Sequence, residues 1–372
     1  MNPRFQWFDS LKGLAVIWIV VFHCLLAYGG NLPQPISFGC FSGFVHQCGQ
    51  GVTFGEFWCA IEGIIVAIIQ RGAQGVGVFI LASGFGLTYS LVIRGGVRDS
   101  WSIWYGRRLR RLLPVYWLAH LVFLVSPFAV LHDPVDYRFL LSFLGDRVYP
   151  VDKMFFYFVP AWWFLGLLIE LYIVFPLLYE LMQRLGPVKY LGLCILSSSA
   201  ARYIMGSVLQ ANGYYEMGAF FVCRLWEFGA GMALGKLAAE SPDVTLGRLL
   251  CWKGFFSGLI IYILGVLAYQ PNCLSIFSDG LTAMGLSVML IQAAYRLNMA
   301  PCLGKTFVRA GAYSYGIYMF HQPYVIYAGE KLRPYSPAVF LVFAFGVTIL
   351  VVLVSMCLEY AANRAANLFK KS

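Results

Sequence analysis

Phe8-Asp9-Ser10-Leu11-Lys12-Gly13-Leu14-Ala15-Val16-Ile17-Trp18-Ile19-Val20-Val21-Phe22-His23 is an apolar run with a cation near one end and an imidazole at the other. It opens an apolar run over 11–30, long enough to read as a membrane span. Lys12 and His23 lie eleven positions apart, close to three whole helical turns, so both project from one face. Along the axis they stand roughly 16 Å apart, about half a hydrocarbon core. A cation at the membrane edge and a proton acceptor deep inside read as two stations of one reaction path.

The rest of the chain repeats this character. Of 372 residues, 60% are hydrophobic and 12% charged, against about 25% charged in soluble domains. Runs of about 20 residues fall at 11–30, 73–93, 112–131, 161–182, 188–208, 217–237, 254–270, 274–295, 312–329 and 336–358. The expected fold is therefore all-α, a polytopic bundle of about ten spans forming one domain over 1–372, without an appended soluble domain. The first run lacks a cleavage site and is read as a span, not a signal. The shorter apolar stretch 57–70, which contains Glu62, suits a re-entrant or interfacial segment.

The formal charge of +10 does not point to nucleic acid. In membrane proteins excess Lys and Arg record orientation. With the N-terminus inside, 19 of the 27 basic residues fall on the cytoplasmic side. Making 57–70 a span of its own would move the Arg107–Arg111 cluster outside. The ten cysteines show no metal-ligand spacing, so no metal is expected. Cys40 and Cys48 share an external loop and can pair if that side is oxidising.

Four constellations have the residue types for chemistry. His23, an ionisable group inside the membrane, suits a general base. Trp104-Tyr105-Gly106-Arg107-Arg108-Leu109-Arg110-Arg111 places Arg108 and Arg111 on one helix face at the cytoplasmic mouth, with Arg107 beside them, where guanidiniums can clamp phosphates. Lipid attraction and topology explain arginines at such a mouth as well. Trp163 and Glu170 share a face of the span beginning near 161, and Glu170 must be protonated, paired or facing a wet cavity. Arg202 and Arg224 are candidate partners, with Glu227 one turn after Arg224. Ser314, Tyr318 and His321 follow 4-then-3 spacing and form one polar stripe. His46, His120 and His132, in or near loops, are read as solvated. Gly75 to Gly86 lacks a phosphate-loop lysine and is read as a surface for close helix approach.

In register, these segments resemble the acyltransferase-3 family of integral membrane acyltransferases. The resemblance rests on Lys12 and His23; Ser83-Gly84-Phe85; Arg108 and Arg111 followed by Pro114 and Tyr116; and Trp163-Phe164-Leu165 with Glu170, Tyr172 and Pro176. It continues through Arg224-Leu225-Trp226-Glu227-Phe228-Gly229-Ala230-Gly231 and Ser314 to His321. The family often carries Glu followed closely by Pro in its last helix. Here Glu359 is followed by Tyr360-Ala361, and Glu359 is left out of the expected site.

The resemblance implies transfer of an acyl group, commonly acetyl, from cytosolic acyl-CoA to a hydroxyl of a carbohydrate or glycolipid at or beyond the membrane. On it, Lys12, Arg107, Arg108 and Arg111 hold the CoA phosphates and His23 is the base. Glu170 orients His23 or stabilises its imidazolium. Ser314, Tyr318 or His321 donates to the oxyanion. Membrane lipids, a bacterial cytoplasmic membrane with both termini inside, and a separate periplasmic partner belong to the same expectation. Tyr149, Tyr157, Trp162, Tyr214 and Tyr215 offer flat faces to a sugar. Buried His, Glu and Arg also suit a proton-coupled transporter or exporter of a polysaccharide intermediate.

Overall fold

A computed structural model describes residues 6–29, 45–46, 55–97, 100–127, 142–143, 145, 159–209, 218–269 and 273–368. Among these the structure is helical, with no strand. The helices are α1 (Gln6–Tyr28), α2 (Gly55–Gln70), α3 (Gly75–Val92), α4 (Trp101–Val125), α5 (Trp163–Tyr203) and α6 (Leu225–Glu240). They continue as α7 (Pro242–Leu250), α8 (Trp252–Ala268), α9 (Ser278–Leu297), α10 (Pro301–Ala312), α11 (Ser314–Leu332) and α12 (Pro337–Leu368). The expected pairing of Cys40 with Cys48, and Tyr149, Tyr157, Tyr214 and Tyr215, lie outside the described residues.

Among the described residues, five helical stretches are long and apolar enough to cross a bilayer, and a sixth is added if α7 and α8, bent by 66°, form one span. The expectation was about ten. Part of the difference is α5, which runs through two expected spans and is broken at Gly186, with φ 77° and ψ 161°. That left-handed φ is open to glycine without a Cβ penalty, and Pro187 follows at once. The rest comes from helices that are short or polar. α6 has 16 residues, and α4 carries four arginines in its first half.

The 57–70 stretch, expected as a re-entrant or interfacial segment, is continuous with the helix that follows it. It forms most of α2, which passes through a 3-10 turn, Arg71–Gln74, with right-handed helical dihedrals at both junctions, into α3. Gly55–Val92 is thus one continuous apolar stretch of 38 residues.

Glycines decide how closely α3 is approached. A Cβ at Gly84 would overlap the Phe228 carbonyl of α6, and one at Gly231 would overlap the Leu81 carbonyl of α3. Gly72 and Gly75 leave similar room for α1, and Gly77 for Ala283 of α9. Backbones meet directly where side chains are absent, the usual basis of helix association in lipid. α1 is enclosed by α3, α9, α10, α11 and α12. Its residues Ala15, Val16, Ile19 and Val20 are fully buried. α12 instead exposes Val342, Phe343, Phe345, Leu350 and Leu353, an apolar face suited to lipid tails.

Candidate active site

α1 and α11 pack along each other, and the contact brings together His23 and His321. His321 Nε2 lies 3.0 Å from His23 Nδ1, with ring centroids 4.9 Å apart. His321 is fully buried, whereas His23 is half-buried. The hydrogen bonds assign the protons. His321 Nδ1 faces only carbonyl oxygens, Tyr318 O at 2.8 Å and Ile317 O at 3.2 Å, so it must carry the hydrogen. Neutral His321 then presents a bare Nε2, and His23 Nδ1–H is the donor, shared with the Ile19 carbonyl at 3.0 Å. The alternative, a doubly protonated His321, would set the His23 Nδ1 lone pair against the Ile19 carbonyl and bury a cation at a site with no exposed surface. In neutral His23 the Nε2 is then the bare nitrogen, and among the described residues it has no hydrogen-bond partner.

The segment behind His321 is fixed by a proline. Pro323 has no N–H, so the Met319 carbonyl loses its helical donor. Trp162 Nε1 donates to it at 2.9 Å. Next to this, the Ala161 N–H donates to Gln322 Oε1 at 2.7 Å. The short 3-10 turn Pro160–Trp162 thereby grips α11 on both sides of His321. Trp162 is buried and stacks on His120 with centroids 4.1 Å apart, so it is a brace and not a sugar platform. His120 is likewise buried rather than solvated, meeting Ser142 Oγ through Nε2 at 3.2 Å. Tyr318 is buried beside the pair, its ring 5.5 Å from that of His321 and 5.0 Å from Phe164. Ser314 starts the same helix two turns earlier, roughly 10 Å down the axis.

In the first turns of α1, Lys12 pairs with Asp9 at 2.7 Å. Glu359, set aside in the sequence, is buried and accepts the Gly316 N–H at 2.7 Å. It lies in the fields of both Lys12 and Arg111. A carboxylate at the start of α11 suits the positive end of that helix. A cleft of about 430 Å³ opens nearby, lined by Ser90, Leu91, Arg94, Val97, Trp104, Arg107 and Arg108 among others. Arg108 lies over the Trp104 ring at 5.3 Å. Arg111 does not line the cleft. Arg94 does, contributed by the turn after α3. Its approach to α4 is tertiary, so no spacing along the chain reports it.

A second polar group lies at the start of α6 and α9. Arg224 pairs with Glu227 at 2.6 Å and with Asp279 at 3.2 Å, while Arg202 pairs with Asp279 at 2.8 Å. The Arg224–Glu227 pair follows from its i,i+3 spacing; Asp279, from α9, was not foreseen. Glu170 accepts the Phe221 N–H at 3.3 Å. The partner that meets His23 is His321. Among the described residues there is no cluster of three His, Cys, Asp or Glu side chains able to hold a metal.

A family model described as "Acyltransferase domain" matches residues 5–359. A protein of Acidianus two-tailed virus named "Putative acetyltransferase ORF330" is 26% identical over 275 residues, covering 73% of this chain and 78% of its own. No solved structure matches the chain.

Proposed function

The chain belongs to the acyltransferase-3 family, and on that footing we propose that it moves an acetyl group from cytosolic acetyl-CoA to a hydroxyl of a carbohydrate or glycolipid. The observation that carries this reading is a half-buried imidazole in the bundle whose Nδ1 is engaged by His321 and the Ile19 carbonyl and whose Nε2 has no partner among the described residues. The acceptor hydroxyl gives its proton to His23 Nε2 as its oxygen bonds to the thioester carbonyl carbon. The carbon–sulfur bond then breaks, and the CoA thiolate recovers the proton to leave as the thiol. Tyr318 and Ser314 are the donors proposed for the developing oxyanion.

CoA phosphates suit the cleft of Arg94, Arg107 and Arg108, with Lys12 and Arg111 adding charge at the same mouth. This orientation puts the cleft and the N-terminus of α1 on the cytoplasmic side, in keeping with the excess of basic residues there. The fuller count of about ten spans belongs to the same proposal, with α4, α6 and α11 crossing inside the bundle. Their polar residues then face protein rather than lipid.

The test is purified protein in nanodiscs with labelled acetyl-CoA and a panel of glycans and glycolipids, read by mass spectrometry. Equal amounts of acetyl ester and free CoA are expected, and His23→Ala should lower turnover by about 10²–10⁴. Wild-type turnover in His23→Ala would remove the base. Movement of an unmodified glycan across the membrane without acyl transfer would favour an exporter.

A further inference from the structure

We infer that His321 is the positioning residue of the base, a neutral imidazole that accepts the Nδ1 proton of His23 and spreads the positive charge formed when His23 is protonated. This rests on the proposed role of His23 but assigns His321 a different part from an oxyanion donor. Both of its nitrogens are already engaged. Nδ1–H donates to the Tyr318 carbonyl, and Nε2 meets His23. No hydrogen remains for a substrate oxygen.

The chemistry follows from the order of the bonds. At rest both rings are neutral, and the line runs from the Tyr318 carbonyl through His321 to His23. When the acceptor hydroxyl delivers its proton to His23 Nε2, His23 becomes an imidazolium. Its Nδ1–H then points at a nitrogen that can bind the proton outright, whereas the Ile19 carbonyl can only share it. The His23–His321 bond strengthens as charge appears and weakens as the proton returns to sulfur, so it favours the transition state over the ground state. A carboxylate here would do the same for the imidazolium. It would also be a permanent buried charge in a fully buried site of the membrane interior, which is costly unless paired. Histidine stabilises the transient cation and leaves the resting site uncharged.

The surrounding structure supplies rigidity. His321 has no exposed surface. Trp162 and Ala161 hold the residues on either side of it, Met319 and Gln322. Tyr318 packs its ring against Phe164 and Phe79. The imidazole therefore keeps its Nε2 aimed at α1 without a further partner.

Two measurements on the full chain test this. In protein carrying ¹⁵N-histidine, the ring spectrum should show His23 as the Nδ1–H tautomer, with a nitrogen–nitrogen coupling across the bond to His321 that vanishes in His321→Phe. In the transfer assay, His321→Phe should lower kcat by about 10- to 100-fold, the worth of one hydrogen bond to a charged group, with KM for acetyl-CoA unchanged. His321→Gln, whose amide oxygen can accept from His23 while its NH₂ donates to the Tyr318 carbonyl, should recover most of that loss and serves if the Phe variant does not fold. An Nε2–H tautomer at His23, or absence of the coupling, overturns the inference whether or not the protein transfers acyl groups. Coupling present with wild-type kcat in His321→Phe also overturns it while leaving acyl transfer intact. Normal coupling in a protein that transfers nothing would instead fault the proposed function.

Discussion

Replacing Trp162 with Phe keeps the aromatic stack on His120 but deletes the indole N–H that satisfies the Met319 carbonyl. That carbonyl lacks its helical donor because residue 323 is proline. Inside a bundle in lipid there is no bulk water to take the donor's place. Leaving a buried carbonyl unpaired costs about 1–3 kcal/mol, and this is the expected loss of stability for Trp162→Phe. In a Pro323→Ala background the alanine N–H supplies the missing helical bond, so the same substitution should then cost only the ring mismatch. The two changes should couple by about 1–2 kcal/mol, with Trp162→Phe less harmful when Pro323 is absent. Reversible unfolding in mixed detergent micelles, run on the wild type, both single variants and the double variant, gives the cycle. Equal costs of Trp162→Phe in both backgrounds would refute the claim that tryptophan serves the carbonyl freed by proline.

Arg108→Ala and Arg94→Ala should each raise KM for acetyl-CoA while leaving kcat within a few-fold, because both line the inner cleft and a lost charge-assisted contact weakens binding by about tenfold; an unchanged KM in both would separate the cleft from donor binding. Gly231→Ala should destabilise the fold by about 1–3 kcal/mol through overlap with the Leu81 carbonyl. Gly247→Ala, in α7 with open space around the new Cβ, should stabilise by about 0.5–1 kcal/mol; micelle unfolding reads both, and equal effects would show that α3 and α6 do not meet through Gly231.

What the sequence by itself determined follows from its periodicities. Uninterrupted apolar length, the sidedness of Lys and Arg, and the glycines of α3 are local or additive properties, so an all-helical membrane protein with closely approaching helices was legible before any coordinates. The i,i+3 pair of Arg224 and Glu227 was legible for the same reason, as was the Ser314–Tyr318–His321 stripe. The sequence also selected both histidines, because an ionisable group in hydrocarbon stands out against its neighbours.

Only the tertiary structure decided what those groups face. His23 and His321 are 298 residues apart, and no helical period reports that α1 and α11 lie side by side. The same holds for Glu359 against Gly316, for Arg94 joining the cleft, and for Asp279 between two arginines. Trp162 read as a flat face for a sugar because its real partner is a carbonyl freed by a proline 161 positions later. Span counting met the same limit: a helix shielded by other helices can carry arginine, histidine and glutamine, so its hydropathy no longer reports its depth. A single strand of sequence records what each residue would seek in lipid or water; the packing of helices determines which of those needs another side chain meets.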